Sequence, residues 1–169
     1  PGLDSMELLG WLEIEQPTAF KADIASADVI TISIGGNNLL TPVIASTFGM
    51  HGLNPVTNTM HDLITAIYTG GESSWNLRLG QFTTSAISSE PMTSGYALEM
   101  RTAQFLEEWP AILDEIEELN PDAQIIAMTL HNPLVEEDNE ALFNRYEELV
   151  RPMNKAMKRT QSRATRSEE

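Results

Sequence analysis

The chain has no cysteine among its 169 residues. That absence excludes disulfides, thiolate metal sites and a cysteine nucleophile, and leaves the compartment open. Cations are also scarce, with ten Lys and Arg against 25 Asp and Glu and a net charge of -15. Six of those ten lie between Arg151 and Arg166, so residues 1–150 carry 4 basic and 23 acidic side chains. Such a body repels nucleic acid and anionic membranes, because phosphate binding needs clustered cations. No nucleic-acid partner is expected. Long apolar runs are missing too, which argues against a transmembrane segment. No pattern of basic, apolar and small residues follows Pro1, so no signal peptide is visible. Catalytic signatures are equally thin. There is no G-D-S, no G-x-S-x-G elbow, and no Asp followed three residues later by His.

What is present is a succession of amphipathic helices and two apolar strands. Asp4-Ser5-Met6-Glu7 has capping-box spacing, and Met6, Leu8, Leu9 and Leu12 form a stripe behind it, predicting a helix over 5–14. Residues 28–34 are β-branched and end at Gly35-Gly36, which predicts a strand. Its continuous apolar character suits a strand covered on both faces. A short helix and a loop fill 40–58, and Met60, Leu63, Ile64, Ile67 and Tyr68 repeat at helical spacing up to Gly70-Gly71. The Ser/Thr-rich stretch 72–95 reads as a long loop over the site face, with a short helix of no assigned position as the other reading.

Tyr96 to Leu119 is a long amphipathic helix with Leu106, Trp109, Leu113 and Ile116 on one side, and Pro110 is expected to kink or divide it. A second strand is predicted over 124–130, and a last helix from about Asn139, bent at Pro152. The basic end, KAMKRTQSRATRSEE, reads as a frayed helix end running into a disordered tail over 156–169, with binding of an acidic partner as the other reading. Strands alternating with helices predict an α/β fold with a parallel sheet. Two strands are few for such a sheet. Pro1-Gly2 also opens where a strand-to-helix turn is expected, so the chain is expected to be a piece, incomplete at both ends.

In an open α/β sheet, sites form beyond the carboxyl ends of strands. The first such end carries Gly35-Gly36-Asn37-Asn38, the second His131-Asn132-Pro133. Two glycines allow a sharp turn, and an Asn after them can aim its amide over the strand end as a fixed donor for an oxyanion. An ordinary Gly-Asn turn explains the same residues. His51, His61 and His131 stand singly, Ser5 lies in a cap and Ser33 in a strand, so no nucleophile or base is assigned. Glu136-Glu137-Asp138 suits the positive start of a helix better than a metal, and Asp114-Glu115 and Glu117-Glu118 read as a solvated face. The methionines, Trp11 and Trp109 read as core filler, while Trp75 in the expected loop is a candidate for lining an acyl pocket.

Three blocks, in order, resemble one family. ADVITISIGGNNLL resembles the third block of the GDSL/SGNH hydrolase superfamily, PGLDSMELLGWLE its second block, and ELNPDAQIIAMTLHNP the helix-to-strand segment of bacterial GDSL-like lipases. The resemblance covers roughly residues 1–155. It implies a three-layer α/β/α, flavodoxin-like fold and a carboxylic ester hydrolase working through a serine acyl-enzyme. It implies Gly2 (backbone N–H) and Asn37 (side-chain amide) as oxyanion-hole donors, and leaves Asn38, Trp75 and His131 as candidates for the substrate pocket. Asn38 departs from the Asp usual in the family.

The nucleophilic Ser and the Asp-x-x-His motif would lie outside this chain, and the piece alone would be inactive. A small-molecule or lipid ester is the substrate implied, with no metal or organic cofactor, and a secreted or cell-envelope location fits the family. A non-catalytic binding module is the alternative. A nucleotide-binding use of Gly35-Gly36 as a phosphate loop is disfavoured, since no cation stands near that turn.

Overall fold

A computed structural model of the chain describes residues 3–14 and 18–164, with side chains described for all of these except 72–76 and 160–164. In chain order the elements are α1 (Ser5–Glu13), α2 (Thr18–Ala25), β1 (Val29–Ile32), α3 (Gly36–Met50), α4 (Met60–Thr69), α5 (Gly71–Ala86), α6 (Ser94–Leu119), β2 (Gln124–Ala127) and α7 (Glu140–Ala164). The two strands pair in parallel, Val29 opposite Gln124 and Ile32 opposite Ala127. They form the whole sheet among the described residues.

This corrects the fold class. The chain is helix-dominated, with one two-stranded sheet, and not the three-layer α/β/α, flavodoxin-like SGNH fold that the resemblance implies. Two four-residue strands present too little surface to organise layers. Helix α6 takes the organising place instead, packing against α1, α2, α3, α5 and α7. Leu98, Thr102, Phe105, Trp109, Ile112, Leu113 and Ile116 of α6 are buried. Their alternating steps of three and four residues keep one seam turned inward along the helix. Pro110 stands on the exposed side and does not divide α6.

The sheet is covered on one side only, against expectation. Ile32, Ile34, Ile125 and Ala127 face the core, whereas Val29, Ile126 and Met128 point outward and are exposed. Period-2 alternation puts neighbouring residues on opposite faces, and among the described residues nothing shelters the outer one. Trp109 belongs to the core as expected, but Trp11 is 43% exposed and meets Phe20 edge-on at 5.8 Å.

Local signals account for most helix starts. Asp4 and Glu7 close a reciprocal capping box on α1, and Thr59 and Asp62 close another on α4. Thr93 caps α6, and Asn139 Oδ1 accepts from Leu142 N at the start of α7. Two expectations need revision in the middle of the chain. The short helix α2 was not foreseen; Asn120 holds it by donating through Nδ2 to the carbonyls of Ile24 and Ala27, each at 2.8 Å. The expected loop 72–95 is largely helix α5, in which Thr83 and Thr84 hydroxyls donate back to the Leu79 and Gly80 carbonyls. Such back-bonding costs a helix interior little when tertiary packing holds the segment, and α5 packs on α3, α4, α6 and α7. Helix α7 continues to Ala164, through the part of the expected tail at 156–164; residues 165–169 lie outside the described residues.

Arg145 of α7 ties three segments together, pairing with Glu99 of α6 and with Glu148 and donating to the Ala86 carbonyl at the end of α5. A hydrogen bond from Ser89 (2.5 Å), one from Arg145 and the Arg145 charge hold the Glu99 carboxyl below its ordinary 4.5. A depressed folded-state value contributes stability that is present above the unfolded value and lost as pH falls through the folded one. Glu99→Gln is therefore expected to destabilise at neutral pH, with a gap to the wild type that closes as pH falls through the lowered value. Because the Glu99 side chain is 38% exposed, screening keeps the effect near the upper end of a surface pair, about 1 kcal/mol. Urea titrations at pH 7 and pH 3 measure it, and a gap that widened in acid would refute the assignment.

Candidate functional site

Strand β1 delivers the chain to Gly35, which has φ +97° and is buried against the core. A Cβ there would lie 2.8 Å from Met153 Cε and 2.9 Å from Phe105 Cε2, so both the backbone sign and the packing call for glycine. Helix α3 begins at Gly36 without a side-chain cap, and Asn37 and Asn38 occupy its first turn. Helix α1 starts alongside. Asn37 Nδ2 donates to the Leu3 carbonyl at 3.1 Å, spending one of its two N–H groups. Gly2 lies outside the described residues; its chain neighbour Leu3 is the residue that Asn37 reaches.

Asn38 points inward. It is 1% exposed, accepts from Ser5 N at 3.1 Å and donates through Nδ2 to Ser5 Oγ at 2.6 Å. Ser5 Oγ, itself 0% exposed, donates onward to Glu108 Oε2 at 2.5 Å. Glu108 Oε1 accepts from Gln104, whose carbonyl oxygen accepts from Arg101. Arg101 also stands 3.5 Å from Asp4. The relay joins α3, α1 and α6.

It also explains why Asn occupies position 38. An Asp there would offer only acceptors, leaving the single Ser5 proton facing two carboxylates. The Asn amide donates to Ser5 and frees that proton for Glu108. With both ends of its amide spent inside the protein, Asn38 supports the turn and does not line a pocket. Ser5, fully buried, is closed to a substrate.

The remaining candidates are dispersed. Trp75 is on α5, not in a loop, and its side chain is outside those described. His131 is exposed in the segment after β2 and lines a groove of about 650 Å³ against α7. Leu130 forms part of that groove and lies 3.9 Å from where a Cβ on Gly36 would stand, so groove and turn adjoin. His51 ends α3, where burial and then Arg78 lower its pKa. His61 is exposed on α4 and Ser33 is exposed just past β1. Among the described residues no histidine is hydrogen-bonded to a serine, and no three His, Asp or Glu side chains gather as a metal site needs.

Two groups of functional interest escape a reading of local pattern. Arg101, Gln104 and Glu108 look like ordinary polar positions of α6. Their three- and four-residue spacing marks one stripe, and that spacing is the signal available. Lys155, Lys158 and Arg159 belong to the basic end that reads as a frayed helix end or as a binder of an acidic partner, whereas they share a groove with the segment after β2. No helix among the described residues is long and apolar enough to cross a membrane. No family model matches the chain, and neither a curated protein nor a solved structure matches it.

Proposed function

We propose that the chain carries part of the active site of a carboxylic ester hydrolase, with Asn37 as an oxyanion donor. The observation that supports this reading is the bond from Asn37 Nδ2 to the Leu3 carbonyl. It joins the Gly35–Asn38 turn to Leu3, the chain neighbour of the Gly2 that the resemblance pairs with Asn37 as a donor. Asn37 is half-buried in the first turn of α3, and its second N–H is the donor that this reading assigns to the oxyanion. Preorganised donors stabilise the developing oxyanion of ester attack without reorganising. The attacking serine and its histidine base come from G-D-S and D-x-x-H segments, neither of which is in these 169 residues. No step of this chemistry requires a metal or organic cofactor.

The test is hydrolysis of a short-chain nitrophenyl ester by the 169-residue chain and by the chain extended on both sides as its gene encodes. The short chain is expected to show little or no turnover. The extended one is expected to hydrolyse the ester and to lose about 10²- to 10³-fold in kcat on Asn37→Ala, or about 2.7–4 kcal/mol of transition-state stabilisation. The same substitution removes one hydrogen bond from the folded state, a stability cost of only about 1 kcal/mol. An unchanged kcat would remove Asn37 from the mechanism. Absence of hydrolysis by the extended chain would favour the alternative, a binding module.

A further inference from the structure

The chain's few cations are not spread evenly in space. Four of its ten Lys and Arg, at 151, 155, 158 and 159, line the groove that the segment after β2 makes with α7. Glu147 is the one carboxylate in the lining. Around it lies a protein of net charge -15. Positions 151, 155 and 158 are four and three residues apart, which stacks their side chains on one stripe of the helix. Like charges at that spacing repel one another. The helix dipole rewards cations only within the last turn, and Arg151 and Lys155 stand more than two turns before Ala164. Helix capping therefore does not account for Arg151 and Lys155.

The floor of the groove is fixed. Asn154 accepts from Leu130 N at 2.7 Å and donates to Leu130 O at 2.8 Å, clamping the segment after β2 to α7 with both halves of its amide. His131 follows directly on the wall. A volume of about 650 Å³ is in the range of small-molecule sites. An extended polyanion would have to lie along the acidic body as well, and is disfavoured. We propose that this groove binds the anionic group of a small molecule, a phosphate or a carboxylate, with Arg151, Lys155 and Lys158 as its charge partners and His131 beside it. Guanidinium and ammonium groups together suit either oxyanion, by forked hydrogen bonds and by point charge. The proposal concerns binding alone and stands apart from ester hydrolysis.

The experiment is an amide-resolved NMR titration of the 169-residue chain with phenyl phosphate and, separately, with benzoate, against sodium chloride at matched ionic strength. Saturating shifts centred on 130–132 and 151–159 with at least one of the two oxyanions, and not with chloride, are the expected result. The tighter of the two identifies the group recognised. The Lys155→Ala/Lys158→Ala double variant, altered only at exposed positions, is expected to bind at least tenfold more weakly with its far-UV spectrum unchanged. Shifts no larger than those from chloride, or a double variant that binds like the wild type, would overturn the proposal. Turnover is not measured, so the outcome is independent of the ester reading.

Discussion

Phe105→Ala is expected to remove about 3–5 kcal/mol of stability, the usual cost of emptying an aromatic site in a core. Phe105 is 0% exposed, lies against Gly35 and stacks on Trp109 with centroids 5.7 Å apart and planes at 15°. Part of the loss is the transfer of the ring to water, and part is the cavity left behind. The size of the cavity term depends on how far Met153, which meets the same side of Gly35, falls into the space. For a chain of this length each kcal/mol moves the melting temperature by about 2–4 °C, so a drop of roughly 10 °C is expected in a calorimetric scan. A loss below about 1 kcal/mol would mean that the site collapses freely, and that Phe105 does not hold the turn that carries Asn37.

Short-range physics was readable before the structure, and long-range physics was not. Asp4-x-x-Glu7 spells out its own capping box because donors and acceptors sit within one turn. The strands at Val29 and Gln124 are likewise visible in their β-branched residues, and they pair in parallel. What covers each element is a different question. The apolar run 28–34 says that a strand forms, but not that Val29 and its neighbours across the sheet face outward. The alternation of strands and helices suggested layers, yet the burial went to the seam of α6 instead. Helix α5 hid behind Ser and Thr because its stability comes from neighbours rather than from its own propensity.

The candidate site divides in the same way. Gly35 through Asn38 can be picked out from a strand running into a glycine pair. Their partners cannot, since Ser5 and Glu108 are 103 residues apart and meet only once α1 lies on α6. The Asn at 38 then makes sense as the start of a relay that runs through Ser5 and Glu108 to Arg101, a feature no local window contains.

Gly35→Ala is expected to cost about 2–5 kcal/mol, and a second substitution separates its two sources. A side chain at φ +97° pays about 1–2 kcal/mol for left-handed backbone. The added methyl also presses on Met153 Cε and Phe105 Cε2 at 2.8 and 2.9 Å, and overpacking of this kind costs about 1–3 kcal/mol. Met153 can swing its terminal methyl aside, whereas the Phe105 ring, stacked on Trp109, cannot. Phe105→Leu shortens that ring to a branched chain and leaves the backbone untouched. If the collision matters, the double variant is less destabilised than the two single changes added together, by at least about 0.5 kcal/mol in urea unfolding. If the changes simply add, the backbone sign alone carries the cost, and the turn would accept Asn in place of Gly more readily than Ala. A coupled result means that turn and core were built as one object, so that Asn37 is held over β1 by the packing of α6 and not by the loop itself.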